Sequence, residues 1–255
     1  MYFHEPTYDL DILARQNLHI HALFSGCAKR EMVLSGIIKT AENAGLEAIA
    51  ITDHIYREDQ YEGFRQNVKD LREQLSRIDT DIKVYIGGEL SAYGVDNYSF
   101  KGEEIELDYR LWAHNHYHVT GWEQPEDRSP EGYKKHMIAT ITNLIKADKA
   151  DCIAHPFHDS YLTNSSRGLV DFSKGSVPNC FTENEIGDLL TLAKQHETAF
   201  ELNLNVVPAF PDIYRKMYNI GKEVGAQFNI GTDAHKLENI DTKQFIDIAK
   251  RVLIG

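Results

Sequence analysis

Residues 17–54 read "NLHIHALFSGCAKREMVLSGIIKTAENAGLEAIAITDH", a strand, a helix and a second strand in succession. In the first run, 17–24, residues two apart on a strand share a face, so His19 and His21 project side by side. Through 30–45, Val33, Ile37, Ile38 and Ala41 recur at helical spacing, and Gly45 stands where a glycine ends a helix. The second strand, 47–54, is apolar until it finishes in Asp53 and His54. A strand, a crossover helix and another strand make a parallel pair.

The same alternation continues outward. Strands are expected at 82–89, 109–119, 150–156, 198–206 and 226–235, and helices at 61–78, 131–147, 182–196, 211–225 and 241–253. Thr182 and Glu185 form a capping-box pair before one of them. Several strands are continuous apolar runs, as burial on both faces requires. No linker, repeat or shift in composition divides the chain. The expectation is an α/β barrel of one domain over 1–255, with 1–16 as an N-terminal extension. Residues 156–181 form a long polar loop, and loops of that length usually carry function.

Composition narrows the function. Lys and Arg number 27 against 39 acids, a net charge of −12, which argues against broad nucleic-acid binding. The three cysteines, Cys27, Cys152 and Cys180, contain no CxxC pair and suit a reducing compartment. No secretory leader and no apolar run of about 18 residues is visible, so a cytoplasmic protein that does not span a membrane is expected. Oligomeric state has no signal.

In a parallel barrel the active site lies at the C-terminal ends of the strands. The polar residues fall there: His19 and His21, then Asp53 and His54, then Glu89. Strand four ends with His114, His116 and His118 in one parity. They are followed by His155, Glu201, and finally Asp233 and His235. Any one of these could be a hydrogen-bonded bystander. Together they would bury many unpaired polar groups at one end, at a cost in free energy that divalent cations remove. The pattern points to a multinuclear metal site.

The motifs "HIH", "ITDH", "GGE", "AHNHYH", "IAHP" and "GTDAH", in this order from residue 19 to 235, resemble the PHP (polymerase and histidinol phosphatase) family. The resemblance implies a distorted (β/α)7 TIM-like barrel with two or three divalent metals, zinc, manganese or iron. It implies that His19, His21, Glu89 and Asp233 hold one metal, and that Glu89 bridges to a second held by His155 and a strand-four histidine. Parity permits His114 or His116 for that ligand, and His116 is preferred. His54 and His235 would hold a third metal. The turn after strand one departs from the family in reading "SGC", so Cys27 is expected to stand in as a ligand there, thiolate being a good zinc donor.

The implied activity is hydrolysis of small phosphomonoesters, in the manner of a histidinol phosphatase, by a metal-bridged hydroxide. Glu89, Asp233, His54 and His235 carry the catalysis. Arg167 is the expected phosphate contact, with Lys29 and Arg30 secondary, and His158 is a further substrate contact near the mouth. The alternatives are a phosphodiesterase or exonuclease of the same family, which the negative charge disfavours, and an amidohydrolase-like carbonyl hydrolase. The latter barrels typically bridge their metals with a strand-four lysine, where this chain has histidines.

Overall fold

A computed structural model describes residues 4–101, 105–163 and 175–255. Helix α1 (Leu10–Leu13) precedes strand β1 (Gln16–Ile20), and helix α2 (Leu34–Ala44) leads to β2 (Ala48–Ile51) and β3 (His54–Ile55). Helix α3 (Tyr61–Leu75) is followed by β4 (Lys83–Ile86), β5 (Gly88–Gly94), β6 (Asn97–Tyr98) and β7 (Arg110–Ala113). After α4 (Pro130–Lys146) come β8 (Cys152–Ile153), α5 (Ser160–Thr163), α6 (Val177–Cys180), α7 (Glu183–Gln195), β9 (Ala199–Asn203), α8 (Pro211–Val224), β10 (Phe228–Gly231) and α9 (Lys243–Leu253).

These strands form a distorted parallel barrel of seven positions. The ladder runs β1-β2-β4 in one sheet and β10-β9-β8-β7-β5-β3 in the other, with β6 returning antiparallel on β5. Strands β2 and β3 are two halves of one interrupted strand, as are β4 and β5, so the sheets pass into each other. At the remaining seam, Ile20 bridges Ala234, the His21 N–H donates to the Ala234 carbonyl at 2.9 Å, and the Ala234 N–H donates to the His19 carbonyl at 3.1 Å.

The interruptions have local causes. Asp53 leaves the ladder because its Oδ1 accepts from the Ala22 N–H at 2.8 Å and from Ser25 Oγ at 2.6 Å. At Gly87 a Cβ would lie 2.3 Å from the Tyr109 carbonyl oxygen, so only glycine lets the neighbouring strand approach. Strand β1 carries an irregularity between Asn17 and Ile20 that breaks its alternation. Leu18 therefore joins an inner cluster with Ala50, Tyr85, Leu111, Cys152 and Ala199, while His19 and His21 still reach the barrel's C-terminal end.

Helices cover the outside with the faces their periodicity marks. Ile37, Ile38 and Ala41 of α2 are buried against the sheet, as are Ile186, Leu189 and Leu190 of α7. Each such Ile or Leu contributes roughly 1.5–3 kcal/mol of burial. Gly45 ends α2 in the left-handed region at φ 68°, and the capping box opens α7, with the Glu185 N–H donating to Thr182 Oγ1 at 3.2 Å. Three expectations are adjusted. The helix from 30 begins only at Leu34, because Met32 is tied back into the turn, its N–H donating to the Lys29 carbonyl and its carbonyl accepting from Leu23. Strand four stops at Ala113, so the three histidines lie beyond its ladder. The described ends of the 156–181 loop contain the short helices α5 and α6. No helix of the described residues is long and apolar enough to cross a membrane.

Candidate metal centre

The strand-end side chains converge. Ser25 Oγ gives its one proton to Asp53 Oδ1, so it accepts from His21 Nδ1 at 3.2 Å and from the His54 N–H at 3.1 Å. His19 Nδ1 donates to Glu201 Oε1 at 2.8 Å. Both rings thus keep a proton on Nδ1 and turn Nε2 inward. Glu201 Oε2 also accepts from the His155 N–H at 2.6 Å, and Asn203 Nδ2 donates to Oε1 at 3.2 Å. One buried carboxylate therefore aligns two strands.

The inward atoms form a compact polyhedron. His19 Nε2 lies 3.2 Å from His21 Nε2, 3.4 Å from Glu89 Oε2 and 3.5 Å from Asp233 Oδ1. His21 Nε2 lies 3.5 Å from Glu89 Oε2 and 2.9 Å from Asp233 Oδ1. Four donors about 2.0–2.1 Å from a tetrahedral ion are about 3.4 Å apart. Burial pulls His19 down, but Glu201, Asp233 and Glu89 hold it well above its ordinary pKa, so a proton occupies this point where a divalent ion would replace it. These residues fit a divalent cation.

Glu89, 1% exposed, extends the cluster with both oxygens. Its Oε1 is 2.9 Å from His155 Nε2 and 3.4 Å from His116 Nε2, while Oε2 is 2.8 Å from His54 Nδ1. Beyond it, His21, His54 and His235 form a third group whose ligand atoms lie within 4.8 Å of one another. The His235 Nδ1–H donates to the Asp233 carbonyl at 2.8 Å, leaving Nε2 to the group, and Cys27 hydrogen-bonds both His235 and His54. His155 at φ 27° and Asp233 at φ 52° hold the left-handed backbone conformation without being glycine, a strain that such sites commonly store.

The electrostatics follow from this packing. Burial pulls the Glu89 carboxyl up, but the facing rings of His54, His116 and His19 overcome it and hold it well below the usual range. Burial likewise raises Asp233, and His19 and His21 outweigh it. Burial, then neighbouring His54, push His21 down to about 3, so it is neutral. Burial lowers His54 too, yet Glu89 and Cys27 carry it up to about 10. Burial would raise the Cys27 thiol, but its bonds to His235 and His54 bring it to about 7. A cation bound here would displace protons from the imidazoles.

Of the residues expected at the site, His19, His21, His54, Glu89, His116, His155, Asp233 and His235 stand together, with Cys27 at the edge. His114 does not join them: it is fully buried, neither ring nitrogen has a hydrogen-bond partner, and burial followed by His155 lowers it to about 3. His158 is buried behind His155, with ring centroids 5.2 Å apart. Its Nδ1 accepts from the Ser160 N–H at 3.2 Å, leaving Nε2–H unpartnered, and burial then His155 hold it well below its ordinary pKa. Arg167 lies outside the described residues. Neither Lys29 nor Arg30 lines the mouth, a space of about 310 Å³ that includes Cys27, His54, Tyr56, Tyr161 and His118.

Sequence reading missed the supporting groups. Ser25 sat unmarked in the turn after strand one, and Glu201, though noted at its strand end, had no assigned role. Its parity with Asn203 on β9 was the available signal. Tyr56, stacked on His54 at 4.6 Å, and Tyr161, edge-on to His116 at 4.7 Å, carry no readable pattern.

Known proteins share this framework. A protein of Aliivibrio fischeri strain ES114 described as a "probable phosphatase" is 26% identical over 230 residues, spanning 87% of this chain and 78% of that one. Its counterpart in strain MJ11, described in the same words, is 25% identical over 230 residues, with the same coverage. The crystal structure of a "putative histidinol phosphatase", hisK, from Listeria monocytogenes superposes with a TM-score of 0.61 at 12% identity, covering 88% of this chain and 97% of that one, a likeness of fold. The PHP domain model matches residues 17–214, from the first strand into α8. With that match over most of its length, and the imidazole and carboxylate cluster at the strand ends, the chain belongs to the PHP domain family.

Proposed function

We propose that the protein is a metal-dependent phosphatase of small phosphomonoesters. The observation that carries this reading is the set of separations around His19, His21, Glu89 and Asp233, 2.9–3.5 Å, close to the spacing of ligands about one divalent ion. The names of the relatives support the reaction type, and the mouth of about 310 Å³ suits a small ester better than a polymer.

In this reading His19, His21, Glu89 and Asp233 would hold one divalent ion, Glu89 with His116 and His155 a second, and His54 with His235 and Cys27 a third. When bound, such ions lower the pKa of water and offset charge on a phosphoryl group. The protein's own part is placement. Glu89 fixes the spacing of the sites because its two oxygens face different rings. Glu201 and Ser25 keep Nδ1 protonated on His19 and His21, so that their Nε2 lone pairs stay turned to the ions. Asp233 Oδ1, beside both rings, would serve the first ion as a ligand, its carboxyl kept ionised against burial by His19 and His21. His158, buried behind His155 and off the mouth, supports that ring instead of meeting the substrate. His114 takes no ligand part.

Two measurements test this. Chelation should abolish hydrolysis of p-nitrophenyl phosphate, and returning Zn²⁺, Mn²⁺ or Fe²⁺ should restore it, with the bis-ester and an acetate ester turned over far more slowly. Preference for the diester would favour the phosphodiesterase alternative, and chelator-insensitive turnover would overturn the proposal. For the third position, Cys27→Ser should retain the first two ions and bind the third roughly ten- to a hundredfold more weakly, because hydroxyl is a poorer donor than thiolate. Isothermal titration with Zn²⁺ reads this directly, and an unchanged third affinity removes Cys27 from the ligand set.

A further inference from the structure

A second cleft, of about 590 Å³, opens from the metal mouth and shares Cys27, His54 and Tyr56 with it. It runs between the turn after β1 and the N-terminal half of α3, bounded by Phe24, Gln60, Gly63, Phe64 and Asn67. Resting on the phosphatase reading above, we infer that this cleft receives the leaving group and selects a ring-bearing alcohol that carries no second phosphate.

The walls are built for a flat, uncharged group. Phe64 is held against the barrel by Gly88, where a Cβ would stand 2.6 Å from its Cζ, so the ring is fixed next to the Glu89 strand position. Phe24 remains 36% exposed, a large apolar face with nothing over it. An aromatic ring inserted here would cover the Phe24 face, with the buried edge of Phe64 as the cleft's floor. Gln60 Oε1 is occupied by the Tyr56 N–H at 2.8 Å and the Arg57 N–H at 3.3 Å, which pins the corner of the cleft. Half-buried Asn67 makes no hydrogen bond among the described residues and is free to meet a polar atom on the ring.

Charge sets the other half of the selection. No Lys or Arg lines either the cleft or the mouth among the described residues. The charges at the cleft are already paired: Asp59 Oδ2 lies 2.6 Å from Arg57 Nη2, and His54 Nδ1 lies 2.8 Å from Glu89 Oε2. With a net charge of −12 on the chain, a second phosphate would enter without a counter-charge.

The test compares kcat/KM for ethyl phosphate, 2-phenylethyl phosphate and 1,2-ethanediol bisphosphate, which differ by one feature and share alkoxide chemistry. Burying a phenyl ring is worth about a ten- to hundredfold preference for the phenylethyl ester, and the bisphosphate should fall below ethyl phosphate. Gly63 is the probe position, because its Cβ would meet nothing within 4 Å and a side chain would enter the cleft without distorting α3. Gly63→Leu should erase the ring preference through KM, lowering kcat/KM for the phenylethyl ester far more than for ethyl phosphate, with the bound metal unchanged. Equal turnover of the ethyl and phenylethyl esters by the unmodified protein overturns the cleft assignment alone. So does an equal loss on both esters in Gly63→Leu. Failure to hydrolyse any of the three overturns the phosphatase reading, and the cleft's role with it.

Discussion

Glu89→Ala is expected to lose at least one tightly bound ion per chain and on the order of 10³-fold in kcat. The reason is the number of partners that meet its two oxygens. His155 and His116 face Oε1, while His54, His19 and His21 face Oε2, all within 3.5 Å. Alanine removes the negative charge that several imidazoles share and the one side chain that spans the candidate sites. Metal content by plasma mass spectrometry and steady-state kinetics check this, with far-ultraviolet circular dichroism confirming that the barrel is folded. A variant with its full metal complement and activity within tenfold of the parent would remove Glu89 from the centre.

Glu201→Gln should weaken metal binding about ten- to a hundredfold while preserving shape. Glu201 never points at the ion positions. Its two oxygens accept from His19 Nδ1 and the His155 N–H, at 2.8 and 2.6 Å. Glutamine has one acceptor and one amide, so either orientation sets an N–H against one of these donors. The buried donor left unpaired costs roughly 1–3 kcal/mol, and the ring it belonged to loses its orientation. Competition against a chromophoric chelator would show the loss. Unchanged affinity would mean that His19 is held by other contacts.

The architecture was legible because the chain alternates apolar strands with amphipathic helices, and each helix buries the stripe its sequence marks. Ile37, Ile38 and Ala41 lie against the sheet as their spacing required. The interruptions were less legible. "GGE" reads as a strand end, yet Gly87 is a crossing point against Tyr109, and the strand resumes at Gly88 with Glu89 as its second residue. The irregularity in β1 defeats simple alternation, since Leu18 and His19 both serve the interior side of the barrel.

Which polar groups gather was readable from their position at strand ends, a one-dimensional signal. How they are held was not. The Glu201 bonds join strands 46 and 182 residues apart in sequence, and no local pattern announces such a pair. His114 and His116 share parity, but parity is meaningful only within a ladder. The chain leaves the ladder at Ala113, and the turn then sends His116 to Glu89 while His114 is enclosed elsewhere. Aromatic groups such as Tyr56, Tyr161 and Phe64 become site walls only through tertiary packing.

Beneath the catalytic reading lies a single premise, that side chains from both ends of the chain make one cradle for cations. Equilibrium dialysis of the chelator-stripped protein against micromolar Zn²⁺ or Mn²⁺ examines it without reference to any substrate. Two or three ions retained per chain, with the first lost in His19→Ala, is the result this account predicts. Retention of fewer than one ion by the folded, unsubstituted protein would contradict it.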